Sequence, residues 1–219
     1  MKADETCKSV EKKIAIVSSC NFFLHGMSCI AHEREVLARL FNTRDETAIY
    51  SIFDSNVEFD DVYVRANLSA ELRLLLEFKK LRSAPRIFAL IDNAHVPTLK
   101  LLRAMGVVFI VSLRDSLSNI GKLLQDSSRV RYMSPDLQSV IKAIQAAPVW
   151  AAEWDVFDGA QYLTPAETEI ILELLQGVPP WQIAKRRLVS VKTVSTHKLN
   201  ALRKIELREL NEFFITYRR

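Results

Sequence analysis

The sequence predicts an α/β chain: a doubly wound parallel sheet, then a small all-α domain. Three observations carry this. Short apolar runs alternate with helical patterns from Lys13 to Gln125. From Leu163 onward the strand-like runs stop and only helical patterns follow. The charge divides at the same place. Residues 163–219 hold ten Lys and Arg against six Asp and Glu, which leaves twenty of each for residues 1–162, so the whole net charge of +4 sits in the last quarter. A neutral front and a basic end predict separate jobs, with an anionic partner for the second. At 219 residues and 49% hydrophobic content, the chain can build one full core and a smaller second one.

In chain order, Lys13–Val17 reads as a buried strand. Asn21–Leu40 follows with helical spacing of Phe23, Met27, Ile30, Val36, Leu37 and Leu40. Thr47–Phe53 reads as a second strand and Val62–Val64 as a third. Ser69–Leu81 is a helix by period, through Leu72, Leu75, Leu76 and Leu81, and Ser83-Ala84-Pro85 breaks it. Ile87–Ile91 is a fourth strand. Pro97–Met105 is a helix stopped by Gly106, a natural left-handed cap, and Val107–Val111 is a fifth strand. Ser116–Gln125 is helical. Ser134 and Pro135 then supply a cap and first residue for a helix with Leu137, Val140, Ile141 and Ile144 on one side. Residues 146–161 read as a linker, although Trp150, Trp154 and Phe157 suit packing between domains or a partner contact.

Cys7, Cys20 and Cys29 are odd in number and form no CxxC, so neither a disulfide framework nor a zinc site is expected. No apolar run reaches the roughly 18 residues of a membrane span, and Met1–Lys13 has no apolar stretch of a signal peptide. A cytoplasmic chain without cofactor is expected. Four His, five Gly and no phosphate loop leave little from which to build an enzyme site.

The basic end has internal logic. Thr164, Pro165 and Glu167 spell a helix start with a capping box, and Ile170, Ile171, Leu174 and Leu175 form its inner stripe up to Gly177. Gly177–Lys204 carries Lys185, Arg186, Arg187, Lys192, Lys198, Arg203 and Lys204 and no acidic residue. It reads as a helix over Pro180–Arg187, a turn, and a third helix capped by Ser190. In that third helix Val194, Ala201, Leu202 and Ile205 face inward. Lys192, Ser195, Thr196, Leu199 and Arg203 share the other face at helical spacing. Such a face suits a DNA groove. Ser195 and Thr196 can bond bases or phosphates, Leu199 can meet a thymine methyl, and Lys192, Lys198 and Arg203 can hold phosphates. Lys185, Thr193 and Asn200 complete the candidate contact set. His197 is expected to donate to backbone near the turn. Glu206–Arg219 reads as a fourth helix through Leu210, Phe213, Phe214 and Tyr217.

Val17–Met27 with its His25-Gly26, Asp61–Val64, and the Met105-Gly106 turn resemble the receiver domain of the response-regulator family, of the kind joined to a LuxR/NarL-type DNA-binding domain. Leu163-Thr164-Pro165 with Glu167, Gln176-Gly177, Ile183-Ala184, Ser190, and Lys192-Thr193-Val194 with His197 resemble the LuxR-type helix-turn-helix without a gap to Leu207. Lys192–Asn200 and Arg203-Lys204-Ile205 are most similar to the branch of Rcs capsule-synthesis auxiliary regulators and BglJ-like activators. The resemblance implies a flavodoxin-like receiver domain over residues 1–145, a linker over 146–161 and a DNA-binding domain over 162–219. It implies promoter DNA as partner, and a homodimer or a heterodimer with another response regulator. Arg187 stands where that family usually has Leu.

The resemblance also implies a defect. A working receiver has an acidic pair after strand 1, a phosphoacceptor Asp after strand 3, a Thr or Ser after strand 4 and a Lys after strand 5. The matched positions here are Ser18 and Ser19, Ala66, Ile91 and Leu113. Phosphoryl transfer to a carboxylate needs the carboxylate, a metal held by further carboxylates and a cation. A receiver that takes no phosphate is therefore expected. Three other readings remain: a shifted acceptor among Asp54, Asp60 and Asp92, a protein that titrates a response regulator without touching DNA, and a quorum-type ligand sensor.

Overall fold

A computed structural model describes residues 12–45, 47, 50, 51, 53, 58–66, 69–81, 85–144 and 161–214, except for the side chains of 69, 70 and 144. The front domain runs β1 (Lys13–Ser18), α1 (Asn21–Glu33), β2 (Leu37–Asn42), β3 (Asp61–Arg65), α2 (Ser69–Lys79), β4 (Arg86–Ile91), α3 (Val96–Ala104), β5 (Phe109–Ser112), α4 (Leu117–Gln125), β6 (Tyr132–Met133) and α5 (Pro135–Ile144). The strands form one parallel sheet in the order β2-β1-β3-β4-β5-β6.

Both faces of this sheet are covered, which is why its strands read as unbroken apolar runs. Ala15, Val17, Val62, Val64, Ile87, Ala89 and Ile110 turn to one face, where α2, α3 and α5 bring Leu75, Phe78, Leu99, Leu102, Leu137 and Ile141. Ile14, Ile16, Tyr63, Phe88, Leu90 and Phe109 turn to the other, where α1 and α4 bring Leu24, Met27, Ile120 and Leu123. Tyr63, Phe88 and Phe109 form a row across β3, β4 and β5, with ring centroids 4.4 Å apart at each step. At the amino end of the sheet, buried Asp61 is held by Lys12 at 2.7 Å and by both arms of Arg86 at 2.7 and 2.9 Å.

The structure departs from the expected elements in four places. The helix from Asn21 ends at Glu33, not Leu40, because Glu35 takes a left-handed φ of 55°. Leu37 and Leu40 then lie on edge strand β2, which explains why both are exposed. Thr47, Tyr50, Ser51 and Phe53 are helical rather than a strand. Ser134 precedes Pro135 and its carbonyl accepts the Gln138 N–H at 3.0 Å, but its hydroxyl accepts the Ser112 N–H at 2.8 Å and donates to Asp115, which ties it to β5. Finally, the fourth C-terminal helix is a short 3-10 turn at Leu210–Phe213, and residues 215–219, with Tyr217, lie outside the described part. Residues 145–160, with the three linker aromatics, also lie outside it.

Candidate nucleic-acid interface

The C-terminal domain is built on α6 (Pro165–Leu175), α7 (Pro180–Arg187) and α8 (Val191–Lys204). The start of α6 is the expected capping box: Glu167 N–H donates to the Thr164 hydroxyl at 3.2 Å, and Thr164 N–H to the Glu167 carboxylate at 2.8 Å. Gly177 ends the helix at φ 80°, a conformation that suits glycine. Ser190 caps α8 by accepting the Thr193 N–H at 3.0 Å. Ile170, Ile183, Ala184 and Val194 make one small core, and Leu202, Ile205 and Leu207 pack in another with Ala104 of α3.

The seven cations of the basic stretch separate into two sets. Arg186 pairs with Glu173, Arg187 bridges Glu169 and Glu173 at 2.6 Å each, and Lys204 reaches Glu167 at 2.7 Å. These three are bound to carboxylates of α6. Lys185, Lys192, Lys198 and Arg203 form no ion pair among the described residues, and Lys185, Lys192 and Arg203 are exposed. The Arg187 charge is thus turned to the α6 carboxylates, while its buried Nε has no hydrogen-bond partner among the described residues. It is half-buried between α6 and α7.

The outer face of α8 presents Lys192, Thr196, Leu199 and Arg203 to solvent, with Ser195 half-buried beside them. Leu199 keeps 61% of its surface, so the front domain does not cover this face. Two expected hydroxyls are occupied locally. Thr196 donates to the Lys192 carbonyl at 3.0 Å, and the Thr193 hydroxyl pairs with Ser190 at 2.8 Å. The side chains of Ser195 and Asn200 form no hydrogen bond among the described residues and remain open to a ligand. The His197 side chain donates to no backbone group among the described residues, contrary to expectation. One cation escaped the sequence reading: exposed Arg208 lines a groove with Lys198, Leu199, Leu202 and Asn211. It follows the end of α8, outside the helical face used to choose candidates.

The positions matched to receiver chemistry lie together at the carboxyl end of the sheet. Ser18 ends β1 and is buried, its hydroxyl accepting the Cys20 N–H at 3.1 Å. Ser19 donates to buried Glu71 from N–H and hydroxyl at 3.3 and 3.1 Å. Ala66 follows β3 with no exposed surface, Ile91 ends β4, and Leu113 follows β5. Asp60 lies at the other end of the sheet, accepting the Lys13 N–H at 2.8 Å, and Asp54 lies outside the described residues. Asp92 is at the right end, but Arg65 holds both its oxygens at 3.1 and 2.5 Å. The Cys20 thiol at the start of α1 is held below its ordinary pKa by the Phe23 N–H first, with Phe22 and Arg65 adding to it.

The two domains touch directly. Leu163 N–H donates to the Ala104 carbonyl at 2.9 Å. Lys100 of α3 pairs with Glu206 at 3.1 Å, and Lys80, just past α2, lies 3.7 Å from Glu169 of α6. Ile171, Leu172 and Ala201 belong to the same buried cluster as the front-domain core.

This is the architecture of a receiver-like domain joined to a helix-turn-helix module. Residues 161–216 match the model of the bacterial regulatory proteins of the luxR family. No curated protein matches the chain. Among solved structures it resembles RcsB from Salmonella enterica serovar Typhimurium bound to promoter rprA, with 17% identity over 94% of this chain and 100% of that one and a TM-score of 0.59. The same protein bound to promoter P1flhDC matches with 17% identity over 93% and 98% and a TM-score of 0.58. A structure of two RcsB dimers bound to two parallel DNAs matches with 16% identity over 93% and 96% and a TM-score of 0.54. The C-terminal domain thus carries the luxR-family match, and the chain as a whole has the fold of the RcsB structures.

Proposed function

We propose that this protein is a cytoplasmic transcription regulator that reads promoter DNA with α8. The observation that carries this is the sorting of charge: three cations are neutralised against α6 and four stay unpaired among the described residues, three of them on α8. Lys192 and Arg203 flank the central face, Lys198 and Lys185 lie beside it, and Ser195, Leu199 and Asn200 supply contacts to base edges. The hydroxyls of Thr193 and Thr196 already bond to Ser190 and to the Lys192 carbonyl. The domain division follows residues 1–145, 146–161 and 162–219. The front domain takes no phosphate, because Ser18, Ser19, Ala66, Ile91 and Leu113 supply neither carboxylate nor cation. It serves as a pairing surface, in a homodimer or a heterodimer with a response regulator, and the chain needs no cofactor and catalyses nothing. The RcsB structures, which hold dimers and promoters, support this reading by their fold.

The test is fluorescence anisotropy with promoter fragments, with and without a co-expressed response regulator. Ser195→Ala and Lys198→Ala should lose binding while circular dichroism stays unchanged. Absence of any shift by the wild type in both arms would favour a titrating protein. Incubation with acetyl phosphate and Mg²⁺ should leave the intact mass unchanged, and a stable phosphorylated species would overturn the non-phosphorylated receiver.

A further inference from the structure

The carboxyl end of the sheet is not an empty remnant. Arg65, the last residue of β3, lies next to Ala66, the position matched to the phosphoacceptor. Its guanidinium grips Asp92 with two parallel bonds, Nε to Oδ1 at 3.1 Å and NH2 to Oδ2 at 2.5 Å. This two-pronged geometry fixes direction as well as distance. The same guanidinium lies 5.9 Å from the Phe23 ring centroid at the start of α1. Arg65 therefore joins β3, α1 and the loop that leads from β4 into α3.

That loop has few other ways to move. Arg114 donates to Asn93 at 2.8 Å, and His95 Nδ1 lies 2.8 Å from the Thr98 hydroxyl in the first turn of α3. Helix α3 is short and stiff, about 13 Å long for its residue count, and Leu99, Leu101 and Leu102 are fully buried. Its far end is the docking point of the C-terminal domain. There Ala104 accepts the Leu163 N–H and packs on Leu202, Ile205 and Leu207, and Lys100 meets both the carboxylate and the carbonyl of Glu206 at 3.1 Å. Glu206 lies two residues beyond the end of α8. Asp92 thus opens the four-residue loop that leads into α3, and the other end of α3 seats the end of α8.

We propose that the Arg65–Asp92 ion pair is a fixed positioning device that sets α3, and through it the seat of the DNA-binding domain. It occupies the end of the sheet where a receiver would carry a transient phosphoryl group, and it is always present. Arg65 and Asp92 are positioning residues that act through α3 and make no contact with nucleic acid.

The DNA readout of this proposal rests on the proposed function, so the experiment carries a second readout that does not. Arg65→Gln, Asp92→Asn and the reversed pair Arg65→Glu with Asp92→Arg are compared in the full chain. Hydrogen exchange of the Leu163 amide reports docking, and anisotropy reports DNA affinity. Each single variant should speed Leu163 exchange and weaken DNA binding by about five-fold, the low end of ordinary coupling between sites. The reversed pair should restore both. Lys192→Ala, which touches only the outer face, should lower affinity and leave Leu163 exchange at the wild-type rate. Wild-type exchange and affinity in both single variants would overturn the proposal. Weaker binding with unchanged Leu163 exchange would also overturn it, because the pair would then act by another route. If the wild type binds no DNA, the proposed function fails, while faster Leu163 exchange rescued by the reversed pair still supports the device.

Discussion

The C-terminal domain uses one residue type in two opposite ways. Towards α6, exposed Arg186 and half-buried Arg187 and Lys204 form an inner set bound to Glu173, Glu169 and Glu167. On its outer side, Lys185, Lys192, Lys198 and Arg203 have no acidic partner among the described residues. The inner cations have given up their long-range field to fasten helices together. The outer ones keep it, as does exposed Arg208, and can release counterions from a nucleic acid. A count of basic residues cannot separate the two sets. Their partners lie 13 to 37 positions away in the chain, on a helix packed against them.

Mutation should split stability from affinity along this line. The largest effect on stability belongs to Glu173, which is 5% exposed and holds two guanidinium groups. Glu173→Ala leaves Arg186 without its partner and Arg187 with Glu169 alone, and should cost about 2 kcal/mol, read as a lower midpoint in urea. Below the transition the variant should keep the wild-type salt slope of DNA binding, because no phosphate contact is removed. A changed slope would mean that Arg186 or Arg187 reaches DNA.

Lys192→Ala is the converse. Lys192 is exposed and unpaired among the described residues, so stability should change by no more than about 0.5 kcal/mol, read as a nearly unchanged urea midpoint. DNA affinity should fall, and the slope of log K against log salt should become shallower by about 0.9 if Lys192 neutralises one phosphate. Equal slopes for variant and wild type would remove Lys192 from the interface.

The same contrast shows what was legible in the sequence. Features written into neighbouring residues were readable: the Thr164–Glu167 box, the Ser190 cap, Gly106 and Gly177 at positive φ, and the inward set of α8. Features made by distant partners were not. Nothing near Arg187 announces Glu169 and Glu173, and nothing near Ser134 announces Ser112 and Asp115. The end of α1 was missed for another reason. Glu35 adopts a left-handed conformation without glycine, so the chain turns where no local signal marks it. The apolar residues beyond it then fell by chance on a helical period. At the other site the matched positions were readable one by one, but the Arg65–Asp92 pair that joins β3 to the next loop was not.

Acid should loosen the inner set and spare the outer one. Glu169 has its pKa held below the ordinary value, chiefly by Arg187, with Lys80 of the front domain adding to it. A depressed carboxylate pKa contributes stability that is complete above the ordinary glutamate value of about 4.3 and is lost as pH falls below it. Glu167 shifts the same way: burial opposes the shift and is outweighed by the Lys204 and Thr164 bonds. Protection of the α6 amides, relative to the intrinsic exchange rate at each pH, should therefore fall between about pH 4.3 and the lower folded-state value. Glu169→Gln should flatten part of that dependence. An unchanged profile in the variant would mean that this carboxylate carries none of it.

The smallest effect tests the corner between the two sets. Leu188 follows Arg187 at the end of α7, takes φ 54° and is 93% exposed. A β-carbon in this conformation is crowded by the following carbonyl, at a cost of about 1 kcal/mol or somewhat more. The exposed side chain recovers none of this by burial. Leu188→Gly should relieve the crowding and gain up to about 1 kcal/mol, less the larger entropy that glycine brings to the unfolded chain. The turn would keep its geometry, so the Val189 N–H should still reach the Ala184 carbonyl, 3.1 Å away, and α8 should still start at Ser190. Affinity for DNA should then remain at the wild-type level. If stability rises and affinity falls, the Leu188 side chain is itself in contact with DNA or with a partner bound there. The outer face would then extend around the turn beyond α8.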